Sequence, residues 1–264
     1  NIEAAELVGG KEAIYVRGDE LIARVTAQTC RQSGLSVVYT ELLDFDGAEI
    51  YVKPEPKLAG QTYRAMIDAY SDSAVIGLMR ASGETLINPP MDTRFEAGDK
   101  VIAISEDDDT LVLSGDDLAR ADASAVLEPP TRAAKPERTL VLGWNPKGES
   151  ILRELDNYVA EGSEVVVMCK SDGVREKLLQ LSKSMTHQRL RYAEGDIGSR
   201  AMLDALKVAS YDHIILLSYS DLPVQQADAQ TLITLLHLRN IAEQQQIDLS
   251  IVSEMMDLRN RTLA

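Results

Sequence analysis

PERTLVLGWNPKGESILRELDNYVAEGSEVVVMCK, residues 136–170, decides the fold. A largely apolar run over residues 139–143 ends in glycine, a helical pattern covers about 147–159, and a second run fills 164–169, apolar throughout from 165 to 168. Neither run alternates polar with apolar, so each predicts a strand buried on both faces, as in a parallel sheet covered by helices. Working outward to the C-terminus, the same alternation continues: helix 174–185, strand 190–193, helix 200–209, strand 213–218, a long helix 224–245 and strand 249–252. The order βαβαβαβαβ predicts a Rossmann-like doubly wound sheet over 138–264, truncated after strand five, with ligands expected at the carboxyl ends of its strands.

Toward the N-terminus the periodicity changes. Residues 107–137 open on Asp107-Asp108-Asp109 and close on Pro129-Pro130 and residues 133–136, a composition that predicts a stiff, exposed linker. Residues 49–106 predict a small α+β domain: strands at 50–52, 74–79, 85–88 and 100–105, a helix near 62–70, a hairpin turn at Ser82-Gly83 and a turn at Gly98-Asp99. Residues 1–48 read as a short helical piece, a strand at 13–16, and two helical segments divided by Ser33-Gly34, the first with Leu21, Ile22 and Val25 at helical spacing.

A net charge of −15 without a basic stripe excludes a nucleic-acid partner and favours cations. The longest apolar runs, at 165–168 and 214–217, fall far below the roughly 20 residues of a membrane-crossing helix, so the chain itself is read as soluble. It opens on Asn1 without a charged-then-apolar leader, which reads as a fragment not marked for secretion. Cys30 and Cys169 form neither a disulfide framework nor a zinc spacing, which implies a reducing compartment. His187, His213 and His237 lie on different elements without ligand spacing and are read as structural or solvated.

The turn after the first strand, Gly143-Trp144-Asn145-Pro146-Lys147-Gly148, stands where a dinucleotide fingerprint belongs. Its middle glycine is replaced by Asn145, and Pro146 has no N–H to offer a phosphate. Asn145 as a helix cap with Pro146 at the first helical position accounts for the same residues. The acid expected at the tip of the second strand is absent, Cys169-Lys170 standing there with Asp172 beyond. Gly143, Asn145, Gly148 and Asp196 are therefore the candidate cofactor residues, with NAD disfavoured and Asp196 more readily a turn residue. Glu106, Asp107, Asp108 and Asp109 are the candidate metal ligands, four consecutive carboxylates with Asp116-Asp117 behind them. They offer the oxygen donors calcium takes, although such runs more commonly form solvated linkers and this one lacks the spacing and glycine of a calcium loop.

Several segments resemble one family in order. RVTAQTCRQSGLSVVYTELLDFD (24–46) is similar to the stretch joining the first Rossmann lobe to its partner domain in CASTOR/POLLUX-type ion channels. LAGQTYRAMIDAY (58–70), AVIGLMR, TLINPP and EAGDKVIAISEDDDT resemble the small C-terminal subdomain of a regulator-of-potassium-conductance (RCK) unit. PERTLVLGWN and VSEMMDLRNRTL (252–263) resemble the opening and close of the second such unit. The resemblance implies a non-enzymatic, cytosolic gating-ring module, tied to a transmembrane cation-conducting pore of the same protein as a tetrameric ring, with calcium as controlling ligand. It also implies that residues 1–48 end a first lobe, and that residues 1–16 could dock on the C-terminal sheet in its sixth-strand place. Two other readings stand beside it: an NAD-dependent oxidoreductase, weakened by the incomplete loop and the lack of a proton relay, and a ligand-blind assembly scaffold.

Overall fold

A computed structural model describes residues 8–9, 16–32, 34–44, 47–114, 133–257 and 259–260. The chain forms two compact units, one of residues 36–131 and one combining residues 1–35 with 132–264. Helix α1 (Gly18–Arg31) lies in the larger unit, and α2 (Leu35–Leu42) spans the division.

The smaller unit is an antiparallel sheet of β1 (Glu49–Pro54), β2 (Ala74–Met79), β3 (Thr85–Ile87) and β4 (Lys100–Ser105), in the order β1-β4-β2-β3. Helix α3 (Tyr63–Ile67) is capped by Thr62, whose hydroxyl accepts from Ala65 N–H. Tyr63, Met66, Val75, Leu78, Phe95 and Val101 bury their side chains together as its core. The predicted hairpin forms between β2 and β3, with Gly83 at φ +90° and its N–H donating to Arg80 O at 2.9 Å.

One buried carboxylate organises the turn into β4. Asp99 is 4% exposed and accepts from Arg80 Nη1 at 2.6 Å, Glu96 N–H at 2.9 Å and Ala81 N–H at 3.2 Å. Burial pushes its carboxyl up, but the bonds from Glu96, Arg80 and Ala81 outweigh burial and hold it below the ordinary carboxylate range. A carboxyl depressed in the folded state gives stability that is complete above its unfolded value of about 3.9 and is lost as pH falls through the folded value. Asp99→Asn is therefore expected to cost about 2 kcal/mol at pH 6 and progressively less below pH ~4, read by urea unfolding at both values.

The larger unit carries the parallel sheet. Strands β5 (Arg138–Leu142), β6 (Ser163–Cys169), β7 (Gln188–Glu194), β8 (His213–Leu216) and β9 (Ile251–Ser253) lie in the order β7-β6-β5-β8-β9, all parallel. They alternate with α4 (Gly148–Tyr158), α5 (Val174–Leu181), α6 (Arg200–Leu206) and α7 (Val224–Gln245). The order reverses between β5 and β8, which places the switch-point crevice of a doubly wound fold there. Leu140, Leu142, Val165, Val167, Ile214, Ile215 and Leu216 are at most 1% exposed, as two-sided coverage requires.

Helix α1 packs along α4 and over β8 and β9. Its buried stripe is Ala23, Ala27 and Cys30, each 0% exposed, whereas Leu21 and Ile22 are about half exposed. The apolar spacing read from sequence thus identifies the helix but not its buried face: small side chains at i, i+4 and i+7 let the helix approach closely, and that contact decides. Arg31 fixes its end by donating Nε and Nη2 to Glu137 at 3.0 and 2.7 Å, and Ser250 Oγ donates to Cys30 O at 2.9 Å. The structure places 18–31 in the unit with the parallel sheet. Of the strand expected at 13–16, residues 13–15 fall outside the described residues, as do Asp116 and Asp117, and Val16 has no regular structure.

Candidate functional site

The crevice at the switch point is built from the turn that leaves β5. Gly143 takes φ +82°, donates its N–H to Met168 O at 2.9 Å, and leaves no room for a Cβ, which would overlap Leu217 O. Trp144 is buried, and its ring covers Gly148 so closely that a Cβ there would come within 2.8 Å of it. Two glycines of the fingerprint are accordingly explained by packing against this chain's own atoms.

Asn145 takes the place of the middle glycine, and the structure gives it a different role from the expected helix cap. The helix starts at Gly148 rather than at Pro146. Asn145 Oδ1 accepts from Lys147 N–H at 3.0 Å, shaping the turn, and Asn145 Nδ2 donates to Ser218 O at 3.0 Å and to Glu254 Oε2 at 2.6 Å. Glu254 also accepts from Ser218 N–H at 3.3 Å and pairs with the Lys147 ammonium. Asn145 therefore bridges the loop after β5 to the loops after β8 and β9. A carboxylate and its counter-cation occupy the mouth of the turn, where a fingerprint would seat a pyrophosphate.

Glu254 lies 109 residues beyond Asn145, and no spacing in the sequence links the two. It is the residue of this crevice that sequence reasoning missed. Its position in the segment after the last strand was the one available signal.

Asp196 stands apart, on the lip beyond β7. It accepts from Gly198 N–H at 2.9 Å and Gln230 Nε2 at 3.3 Å, and pairs with Lys170 Nζ at 3.0 Å. The Lys170 ammonium first, then the Gly198 N–H, hold its carboxyl below the ordinary range. Beside it, a cavity of about 190 Å³ is lined by Lys170, Tyr219, Asp221 and Gln230 among others. Burial pushes the Tyr219 phenol up to about 12, so this hydroxyl stays protonated at neutral pH and accepts a long bond, 3.4 Å, from Lys170 N–H.

The acidic run lies in the smaller unit, on the loop after β4. Carboxylate oxygens of Asp107, Asp108 and Asp109 lie within 4.8 Å of one another, and all three residues are exposed; Glu106 is not in the group. The loop is held by its own bonds, Asp108 N–H to Asp107 Oδ1 at 2.6 Å and Asp107 N–H to Thr110 Oγ1 at 3.0 Å. Lys53 Nζ donates to Asp108 O and Leu111 O at 3.2 and 2.9 Å, placing a cation against the same loop. The histidines are engaged elsewhere: His187 Nδ1 lies 2.8 Å from Asp156 O, and His213 Nε2 lies 3.5 Å from Glu137.

The doubly wound lobe and the small antiparallel unit have a counterpart of known structure. The human SLO3 gating ring matches them with a TM-score of 0.61 over 89% of this chain and 51% of that one, at 13% identity, a likeness of fold alone. Sequence comparison supplies the particular family. Residues 19–118 match the family described as Castor and Pollux, part of voltage-gated ion channel. The probable ion channel POLLUX of Oryza sativa subsp. japonica is 29% identical over 251 residues, 91% of this chain and 26% of that protein. The ion channel CASTOR of Lotus japonicus is 30% identical over 247 residues, 89% of this chain and 28% of its own length. This chain is a relative of the CASTOR/POLLUX-type ion channels, as its sequence resemblance implies, and spans less than a third of the curated relatives it matches. Among the described residues no helix is long and apolar enough to cross a membrane.

Proposed function

We propose that this chain is a cytosolic, non-enzymatic gating-ring module of a cation channel, joined in the whole protein to a transmembrane pore and assembled around it as a tetramer. The observation that carries this reading is the closed pyrophosphate seat: Asn145, Glu254 and Lys147 satisfy one another where a dinucleotide enzyme keeps an open, anion-binding turn. A lobe built this way acts by packing, and it transmits a ligand's preference for one arrangement to the pore. Calcium is the ligand to test first, at Asp107, Asp108 and Asp109, whose oxygens already converge.

A thermal-shift panel with NAD, NADH, ATP and calcium tests the module itself. Stabilisation by calcium at millimolar concentration, lost in Asp107→Ala/Asp108→Ala, is the expected result, with no shift from NAD or NADH. Flux of cations through proteoliposomes of the full-length protein tests the pore. Hydride transfer by the purified chain, or a dinucleotide retained through purification, overturns the reading in favour of an oxidoreductase. A silent panel with intact flux removes calcium and leaves an assembly scaffold.

A further inference from the structure

We propose that the outer edge of β7 receives an extended acidic segment of a partner polypeptide as a sixth strand of the parallel sheet. β7 is the outermost strand on its side of the sheet and runs for seven residues. Gly195 N–H donates to Cys169 O, and His187 O accepts from Gly162 N–H. In a strand, both backbone polar groups of a residue point to the same side, so the odd-numbered residues face β6. The N–H and C=O groups of Leu190, Tyr192 and Glu194 consequently face outward, where no strand of the described residues meets them. The strand contains no proline and pairs with β6 without a register break, so two usual devices that blunt a free edge are missing.

The surface beside this edge fits a strand of particular chemistry. Two open cavities of about 460 and 470 Å³ share Leu190. The first has an apolar floor of Leu178, Leu179, Leu190 and Tyr192, and Leu179 is 61% exposed. Arg175 on α5 and Arg189 on β7 border the two cavities, exposed and without an ion pair among the described residues. Two unpaired arginines are notable in a chain with 42 acidic against 27 basic residues, where carboxylates are in excess. Arg189 and Arg191 lie on the same face of β7; Arg191 is paired with Glu164 at 2.7 Å, so Arg189 is the uncompensated charge that pairing with β7 of a second copy would bring against further arginines. The edge therefore resists its own copy and favours a strand with carboxylates at alternate positions, bound by main-chain hydrogen bonds and selected by charge.

A labelled eight-residue peptide of alternating valine and glutamate, added to the intact chain and followed by fluorescence anisotropy, tests the proposal. Binding is expected, weakening with salt, together with slowed hydrogen exchange at the amides of Leu190, Tyr192 and Glu194. Arg175→Glu/Arg189→Glu, at two exposed positions outside the core, is expected to weaken binding by about tenfold or more. The same peptide N-methylated at alternate residues, unable to complete the ladder, is expected not to bind. Equal binding of a valine–lysine peptide or of the N-methylated form overturns the proposal. So does a complete failure of the acidic peptide to bind, or a dimer of the chain in sedimentation that the arginine substitutions abolish, which would make this edge a self-contact.

Discussion

Gly143→Ala is expected to lower the unfolding free energy of the larger unit by about 3 kcal/mol or more, enough to unfold much of it near physiological temperature. Two costs combine. At φ +82° any residue with a Cβ meets the left-handed penalty of roughly 1–2 kcal/mol. The added carbon then collides with Leu217 O, a backbone atom pinned by the Leu217 N–H bond to Leu142 O at 2.8 Å, so no side-chain rotation relieves it. Thermal or urea unfolding of the variant reads the effect. Gly198→Ala is the control: φ is not left-handed there, and its Cβ would meet Asp196 Oδ1 only at 3.4 Å, so a change within about 0.5 kcal/mol is expected. Equal behaviour of the two variants would show that Gly143 is not needed for the close approach of β5 and β8.

Asn145→Gly restores the letter of the dinucleotide fingerprint and is expected to lose stability without gaining a cofactor. The substitution removes the donors to Ser218 O and Glu254 and the acceptor of Lys147 N–H. Loss of these buried bonds, with the added backbone freedom of glycine, is expected to cost about 2–3 kcal/mol in urea unfolding. Glu254 remains beside the turn, and its carboxylate repels a pyrophosphate at short range. Equilibrium titration with NAD is therefore expected to show no binding at millimolar concentration, for the variant as for the parent chain. Micromolar affinity in Asn145→Gly would mean that one side chain alone had closed the site. If Glu254→Gln instead admits the dinucleotide while Asn145→Gly does not, the carboxylate is the element that closes it.

What was legible in the sequence was whatever rests on local pattern. The continuous apolar runs at 140–142, 165–168 and 214–217 identify strands covered on both faces, because only such strands omit polar positions. Glycine and proline punctuation identifies the β2–β3 hairpin, because few residues adopt the left-handed turn that Gly83 takes. The departure of Asn145 from the fingerprint was also visible as a missing glycine, although what the asparagine does instead was not.

Tertiary structure alone decided the remainder. The face on which α1 packs depends on Ala23, Ala27 and Cys30, whose small size matters only against a neighbouring surface, while the larger Leu21 and Ile22 stay half exposed. The partnership of Asn145 with Glu254 joins residues 109 positions apart, brought together by the parallel order of β5, β8 and β9. Sequence periodicity carries information over one or two turns of chain, whereas a buried polar group is satisfied by whichever partner the sheet order delivers. The residues of this chain dictated a parallel sheet with an altered turn; the fold determined that the turn would be filled from within.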